Sequence, residues 1–201
     1  MKNTKGKFIV IEGLDGSGSS TQINLIAEHL KKKGQKILIT KEPTDNVIGG
    51  LIRGALTGVY HLPDTTLQLL FSADRGHHID RVINPLVKEG VVVISDRYMW
   101  SSVAFGSIKL DRKWLLEMQK YFRIPDLTIF LKVNPETCIK RISTSRYNFE
   151  LFEEKEKLKK AWQTYVWLAK KFPQKIKIVD GEESAEKVSE NVLKYIDKLV
   201  K

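Results

Sequence analysis

Residues 8–21 have the sequence Phe8-Ile-Val-Ile-Glu-Gly13-Leu-Asp-Gly-Ser-Gly18-Ser19-Ser20-Thr21. The apolar start predicts a buried strand, and the spacing of apolar residues after Ser19 predicts a helix. The glycines between them allow a tight turn that brings backbone N–H groups close to an anion. A phosphate-binding loop requires Gly, four residues, Gly, Lys and then Ser or Thr. Gly13, Gly18 and Ser20 fit this pattern, whereas Ser19 stands where Lys is expected. The stretch therefore predicts a nucleoside triphosphate site without its usual lysine.

The rest of the chain alternates strand-like apolar runs with helical patterns. Strands are predicted at 8–11, 36–40, 91–95, 127–133 and 176–179. Helices are predicted at 20–33, 48–56, 65–88, 100–107, 111–121, 135–143, 150–171 and 184–200. This alternation predicts an α/β fold of three layers, with a five-stranded parallel sheet flanked by helices. We expect one domain over residues 1–201, with ligands bound at the carboxyl ends of the strands.

Composition and charge restrict the class of protein. With 42% hydrophobic and 29% charged residues the composition is ordinary for a globular chain. A single cysteine, Cys138, predicts no internal disulfide and a cytoplasmic location. No apolar run reaches the ~18 residues of a membrane span, so no membrane partner is expected. The net charge of +10 favours anionic ligands. Because no zinc-ligand spacing or RNA-binding signature accompanies it, we expect free nucleotides rather than nucleic acid.

Asp96 and Arg97 follow the apolar run 91–95. An acid at the end of a buried strand beside a phosphate-binding loop can hold Mg²⁺, with Ser20 as a second protein oxygen. The planar guanidinium of Arg97 suits phosphoryl oxygens. The alternative is a structural ion pair between Asp96 and Arg97.

Two further motifs suggest contacts to a substrate. Arg53, in the helix after Lys41-Glu42-Pro43-Thr44, could reach an anion, or it could be an exposed helix arginine. Phe71 and Arg75 are four residues apart and share a helix face, so they could stack on a base and hydrogen-bond its edge. On periodicity alone, Phe71 would instead be a core residue and Arg75 a surface residue.

Together these segments resemble thymidylate kinases, P-loop enzymes that phosphorylate dTMP with ATP and Mg²⁺. The resemblance runs from Phe8 to about Tyr165. The matching motifs are Glu12 to Gly18, Glu42-Pro43, Gly49 to Arg53, Leu69 to Arg75, Asp96 to Ala104, Pro125 to Leu127 and Val133 to Glu136.

The resemblance implies a role for each matching residue. ATP would be bound by Gly13, Leu14, Asp15, Gly16, Ser17, Gly18, Ser19, Ser20 and Thr21, and Mg²⁺ by Ser20 and Asp96. The substrate dTMP would be bound by Asp15, Glu42, Pro43, Arg53, Phe71, Arg75, Arg97, Ser101, Ser102 and Phe105. Among these, Phe71 would stack on thymine and Arg75 would bond its carbonyl edge. Asp15 would meet the sugar 3′-hydroxyl or help place the phosphate. Arg97 and Arg53 would grip the acceptor phosphate, and Phe105 would crowd the sugar 2′ carbon.

Catalysis is implied for Asp15, Arg97 and an arginine of a lid. Residues 142–150 resemble that lid, so Arg146 is the first candidate and Arg141 the second. The family is typically a homodimer, and the resemblance implies the same here.

The chain departs from the family pattern at three places. Ser19 replaces the lysine, Thr44-Asp45 replaces two glycines, and Gly106 stands where a side chain often meets the base. We hypothesise that Arg146, Arg141 or Lys41 supplies the missing charge. Three alternatives remain: a kinase for another nucleotide or a deoxynucleoside, a nucleotide-binding paralogue without turnover, and a nucleic-acid-stimulated ATPase.

Overall fold

A parallel five-stranded sheet forms the centre of the computed structural model, which describes residues 6–142 and 148–200 and the side chains of all of these except 148–154. The strands are β1 (Phe8–Glu12), β2 (Ile37–Lys41), β3 (Val92–Asp96), β4 (Leu127–Lys132) and β5 (Ile176–Asp180). Their order is β2-β3-β1-β4-β5, and every pair is parallel. The predicted sheet is therefore confirmed.

Helices connect the strands. They are α1 (Ser19–Lys32), α2 (Val47–Leu56), α3 (Asp64–His78), α4 (Asn84–Lys88), α5 (Met99–Gly106), α6 (Arg112–Gln119), α7 (Pro135–Ile142), α8 (Asn148–Lys171) and α9 (Ala185–Leu199). A π-helical turn, Ile79–Ile83, joins α3 to α4, so the helix predicted at 65–88 contains one wider turn. No helix within the described ranges is long and apolar enough to cross a membrane.

Two apolar clusters place helices on both faces of the sheet. Ile9 and Ile11 of β1 face one cluster, which α1 and α9 cover with residues such as Ile26 and Val192. The alternate residues Phe8 and Val10 face the second cluster, built from α4, α5, α6 and α8. Successive strand residues point to opposite faces, and since both faces of β1 are covered its five residues are all buried. This confirms the three-layer α/β architecture.

The strand register brings the candidate site residues to one edge. Asp96 at the end of β3 pairs with Ile11 of β1 and with Lys41 of β2. The glycine loop (residues 13–18) follows β1 directly, so it lies beside Asp96. The polar motifs thus meet at the carboxyl ends of the strands, where ligands bind in open α/β sheets.

Candidate active site

The glycine loop has the backbone of an anion-binding turn. Gly16 and Gly18 have positive φ angles of 79° and 89°, which a residue with a Cβ adopts only with strain. A Cβ at Gly16 would also lie 2.5 Å from the carbonyl oxygen of Cys138 in α7. Helix α1 begins at Ser19 with no acidic residue in its first turn, and the first N–H groups of a helix have no intrahelical partner. The loop therefore offers amides and a helix dipole to an anion.

Ser19 and Ser20 both lie against one carboxylate. Their hydroxyls donate to Oδ2 of Asp96 at 3.4 and 3.3 Å. The other oxygen, Oδ1, is buried without a hydrogen-bond partner among the described residues. Hydroxyl and carboxylate oxygens suit Mg²⁺, which usually takes one or two carboxylates and completes its shell with phosphate and water. The described residues hold no group of three or more His, Cys, Asp or Glu side chains that could hold a metal ion. The oxygens of Ser20 and Asp96 match the few protein ligands that Mg²⁺ takes when phosphate and water complete its shell.

Arg97 is held at the mouth of the glycine loop. Its Nη2 donates to Oδ1 of Asp15 at 2.9 Å, and its Nη1 to Oγ of Ser101 at 3.3 Å. The guanidinium lies 5.0 Å from the ring centroid of Phe105. Burial would lower the pKa of Arg97, but nearby acidic groups together raise it, namely Tyr165, Asp15, Glu12 and Asp96. Arg97 is thus a cation in a fixed orientation.

A buried carboxylate, Glu12, fixes the backbone around Arg97. Its oxygens accept hydrogen bonds from the backbone N–H groups of Tyr98, Trp100 and Ser101 and from the hydroxyls of Ser101 and Tyr165. Burial raises the pKa of Glu12, although the hydrogen bonds from Ser101 and Tyr165 and the charge of Arg97 oppose the shift. Arg97 itself has a φ of 67°, a strained value for a residue with a side chain. Glu12 therefore stabilises the turn from β3 into α5.

A cavity of about 630 Å³ opens beside this turn. Its walls bring together nine of the predicted substrate residues, namely Asp15, Glu42, Pro43, Phe71, Arg75, Arg97, Ser101, Ser102 and Phe105. The aromatic rings lie on α3 and α5, and Asp15 and Arg97 lie at the end next to the glycine loop. The cavity can thus hold a planar ring at one end and an anion at the other.

The interpretation of Phe71 and Arg75 from periodicity alone is wrong. Arg75 is 1% exposed, whereas Phe71 is half-buried. Nε of Arg75 donates to Glu42 at 2.9 Å, and its Nη atoms donate to Gln119 and Ser102 at 2.8 and 3.0 Å. The charge is buried because Glu42 neutralises it and polar partners hold its N–H groups. Both residues line the cavity, so their roles towards a base stay predictions.

Arg53 contacts protein groups rather than the cavity wall. Its Nη1 donates to the carbonyl oxygen of Thr44 and lies 3.4 Å from a carboxylate oxygen of Asp45. It is not among the residues that line the cavity. With 39% of its side chain exposed, Arg53 holds the segment after β2, and its predicted contact to an acceptor phosphate is untested.

Two of the three candidate cations lie near the phosphate site. Arg141 donates from Nη1 to the carbonyl oxygen of Gly16 at 3.5 Å and from Nη2 to that of Gly181 at 3.2 Å. Lys41, at the end of β2, lies 3.1 Å from Asp45 and lines the same cavity as Asp96. Arg146 and most of the predicted lid (143–147) lie outside the described residues.

Sequence reasoning missed several polar residues of the site. Gln68 lines the cavity, Gln119 holds Arg75, and Tyr165 of α8 bonds Glu12. Gln68 lies three residues before Phe71, so helical spacing could have found it. No sequence signal pairs Tyr165 with Glu12, because their contact depends on how α8 packs against the sheet.

Comparison with known proteins shows which family this chain resembles along its length. The thymidylate kinase family profile matches residues 11–192. A probable thymidylate kinase of Thermococcus onnurineus is 38% identical over 94% of this chain and 97% of its own length. One from Thermococcus gammatolerans is 36% identical over 96% of both chains. A thymidylate kinase of Caldicellulosiruptor saccharolyticus is also 36% identical, over 98% of both chains.

Proposed function

The chain belongs to the thymidylate kinase family, and from that premise we propose that it transfers the γ-phosphoryl group of ATP to dTMP with Mg²⁺. The observation that carries this proposal is the cavity. It joins the Phe71–Arg75 face to Asp15 and Arg97 beside the glycine loop. A nucleoside monophosphate fits this arrangement with its base between α3 and α5 and its phosphate at Arg97.

The acceptor is held by an apolar face and fixed charges. Phe71 offers a ring on which thymine stacks, and Arg75 offers a cation towards its carbonyl edge. Phe105 lies under the sugar, where a 2′-hydroxyl would be crowded. Asp15 orients the 3′-hydroxyl or Arg97, since its carboxylate already bonds that guanidinium. The positions of these side chains in the cavity wall support the roles that the family resemblance implies.

The transfer itself depends on positioning and on charge. The glycine loop and the first turn of α1 hold the donor phosphates through backbone amides. Ser20 and Asp96 would hold Mg²⁺, which when bound would offset the negative charge of the donor phosphates. Arg97 binds the acceptor phosphate and keeps it in line with the donor. The acceptor phosphate is already anionic at neutral pH, so no strong base is needed.

Ser19 leaves one charge to be supplied by another residue. Its hydroxyl bonds Asp96, so it contributes no cation to the β and γ phosphates. Arg141 is the nearest candidate in the described part of the chain, because it already contacts the glycine loop. Lys41 is the second, and Arg146 would act from the predicted lid.

The remaining features of the proposal rest on the family. We treat residues 1–201 as one domain that acts in the cytoplasm as a homodimer. Trp100 is 3% exposed and packs in the core of this chain, so it is not available to a dimer interface. Trp114 is half-buried and packs against the same cluster.

The experiment is a substrate panel with resolved products. Purified protein is incubated with Mg·ATP and each of dTMP, dUMP, UMP, dCMP and dAMP, and the nucleotides are separated by chromatography. We expect dTDP to form fastest. Asp96→Asn should lower kcat by about 100-fold or more because it removes the carboxylate that holds the ion. Asp80→Asn changes a 78% exposed carboxylate in the π-helical turn after α3, outside the cavity wall, and is the matched control.

Each alternative has its own signature in the same panel. If another monophosphate is phosphorylated faster than dTMP, that monophosphate is the preferred acceptor. Binding of ATP and dTMP without dTDP would identify a paralogue without turnover. Hydrolysis of ATP that only nucleic acid stimulates would indicate the ATPase.

A further inference from the structure

Gln68 places an unpaired hydrogen-bonding group in the wall of the cavity. It lies on α3, one turn before Phe71, and is 7% exposed. Its Oε1 is buried without a hydrogen-bond partner among the described residues. Its backbone carbonyl accepts a hydrogen bond from the hydroxyl of Ser72, so the unpaired acceptor is the side-chain Oε1. Because a buried unpaired acceptor is destabilising, its presence in a cavity wall points to a ligand that pairs it.

Gly106 makes the space that the carboxamide uses. A Cβ at Gly106 would lie 3.0 Å from Cδ of Gln68 and 3.0 and 3.1 Å from the methyl groups of Leu115. These distances are tighter than ordinary van der Waals contact, so a side chain at 106 would displace the carboxamide or Leu115. Gly106 also lines the cavity. The carboxamide of Gln68 can therefore occupy its place in the cavity wall because residue 106 has no side chain.

The chemistry of the neighbouring wall determines which ligand group suits Gln68. Arg75 presents a cation, which favours a carbonyl oxygen and disfavours an amino group. Thymine and uracil carry a carbonyl at C4 next to an N–H at N3, whereas cytosine has an amino group next to a bare nitrogen. A carboxamide can rotate to offer either its oxygen or its NH₂ group. If Arg75 takes the C4 carbonyl, the neighbouring N3–H needs an acceptor, and Oε1 of Gln68 is an unpaired acceptor in the same wall.

We propose that Gln68 is a specificity-determining residue that accepts a hydrogen bond from N3–H of the pyrimidine, in the space that Gly106 leaves open. The inference rests on the proposed function, because it assumes a base beside Phe71 and Arg75. Gln68 and Arg75 would then read two adjacent atoms of the base, a donor and an acceptor. A base with a carbonyl at C4 and an N–H at N3 would form hydrogen bonds with both side chains. A base that lacks these two groups would leave a buried polar group unpaired.

Gln22 provides a matched control for Gln68. It is also a buried helix glutamine whose Oε1 has no partner among the described residues. Its Nε2, however, donates to the carbonyl oxygen of Ala185 at 2.9 Å, and it does not line the cavity. Gln22→Met thus removes a buried carboxamide without touching the proposed base site.

The test compares dTMP with N3-methyl-dTMP, which lacks the donor. Binding of each to the wild type, Gln68→Met and Gln22→Met is measured by calorimetry, and kcat and KM for dTMP are measured in parallel. We expect the wild type to bind dTMP at least about ten-fold more tightly than the methylated nucleotide. Gln68→Met should bind dTMP about ten-fold more weakly and lose most of that preference. Gln22→Met should bind both nucleotides as the wild type does.

A second variant keeps the test independent of any folding defect in the first. Gly106→Ala should push the carboxamide aside by a few tenths of an ångström and weaken dTMP binding several-fold. If both changes act on one interaction, the double variant should bind dTMP no more weakly than Gln68→Met alone.

The outcomes separate the inference from the proposed function. If the wild type phosphorylates dTMP and Gln68→Met retains both affinity and preference, the inference is wrong and the proposed function stands. If the wild type binds no dTMP at millimolar concentration, both are wrong. Additive losses in the double variant would also contradict a shared interaction.

Discussion

Arg75 is a buried cation whose charge is balanced by one carboxylate, that of Glu42. Glu42 lies 2.8 Å from its Nη2, and both side chains are at most 3% exposed. His78 approaches the other oxygen of Glu42 at 3.1 Å, and Gln119 and Ser102 take the remaining contacts. An ion pair of this kind contributes little net stability, but loss of one partner leaves the other charge uncompensated. At this scale, Glu42 acts by holding Arg75 in the cavity wall.

Glu42→Gln should therefore be strongly destabilising. We expect a loss of about 3 kcal/mol in the free energy of unfolding, because the buried guanidinium loses its counter-charge. The measurement is urea denaturation. Glu117→Gln breaks an exposed pair with Lys120 and should cost less than about 1 kcal/mol. Equal losses for the two variants would show that burial of the pair does not matter.

The presence of Ser19 in place of lysine leads to a second prediction, which concerns the effect of nearby cations on kcat. Lys41→Ala, Arg141→Ala and Arg146→Ala are compared in steady-state kinetics, with the exposed Lys88→Ala as control. The variant that removes the compensating cation should lower kcat by about 100-fold or more while the KM for dTMP changes little, since the charge acts in the transition state. Equal small effects for all three would contradict compensation.

The sequence predicts the positions of some site residues but not of others. The glycine loop, Asp96 and Arg97 follow strands directly, so their meeting at one sheet edge follows from the strand order. The burial of Arg75 could not be predicted, because its position depends on Glu42, which lies 33 residues earlier in the chain. Helical spacing from Phe71 could have placed Gln68 in the cavity wall, but its unpaired Oε1 has no signature in a helical pattern.

At the scale of elements, the turn from β3 into α5 is held by several hydrogen bonds to one carboxylate. Three N–H groups at the start of α5 converge on Oε1 of Glu12, and Arg97 takes a left-handed conformation before it. The hydroxyl of Tyr165 links α8 to Oε2. Residues 148–150 of the predicted lid belong to the start of α8, so α8 connects them to the carboxylate beside Arg97.

Glu12→Gln tests this connection. The amide NH₂ cannot accept, so at least one hydrogen bond is lost and the free energy of unfolding should fall by about 1–3 kcal/mol. The kcat should fall as well, because Arg97 loses its fixed orientation. Tyr165→Phe removes one hydroxyl and should cost about 1 kcal/mol. Unchanged kcat in Glu12→Gln would show that Arg97 does not depend on Glu12.

The same carboxylate gives a pH dependence. Burial raises the pKa of Glu12 above its ordinary value of 4.5, so the folded protein keeps this proton to a higher pH than the unfolded chain does. The contribution of Glu12 to stability therefore falls as the pH rises through that interval and is constant above it. Denaturation from pH 4.5 upwards should show this fall in the wild type, and the Glu12→Gln variant should lack it. An identical pH profile for both proteins would contradict the assignment.

Element boundaries were predictable because apolar periodicity marks them. All five strands and the helices agree with the predicted ranges to within two residues. The π-helical turn at Ile79–Ile83 was not predicted, since a wider turn leaves no distinct pattern in so short a segment. The turn begins directly after His78, whose ring nitrogens contact Glu42 and Thr40. It therefore lies next to the residues that hold Arg75.

The whole molecule combines a common architecture with a glycine loop that has Ser19 where the phosphate-binding pattern has lysine. The three layers and the parallel order of the sheet bring the glycine loop, Asp96 and the cavity to one edge. They do not supply the charge that a lysine at position 19 would carry. The central claim is therefore that this chain makes dTDP although its glycine loop has no cation of its own.

One measurement tests that claim most directly. Enzyme in excess over dTMP is mixed rapidly with saturating Mg·ATP, quenched, and analysed for dTDP, while equilibrium binding of both nucleotides is measured under the same conditions. We predict conversion of bound dTMP at about 1–100 s⁻¹, the range of typical kinases. Tight binding of both nucleotides with no dTDP above the uncatalysed background would contradict the account.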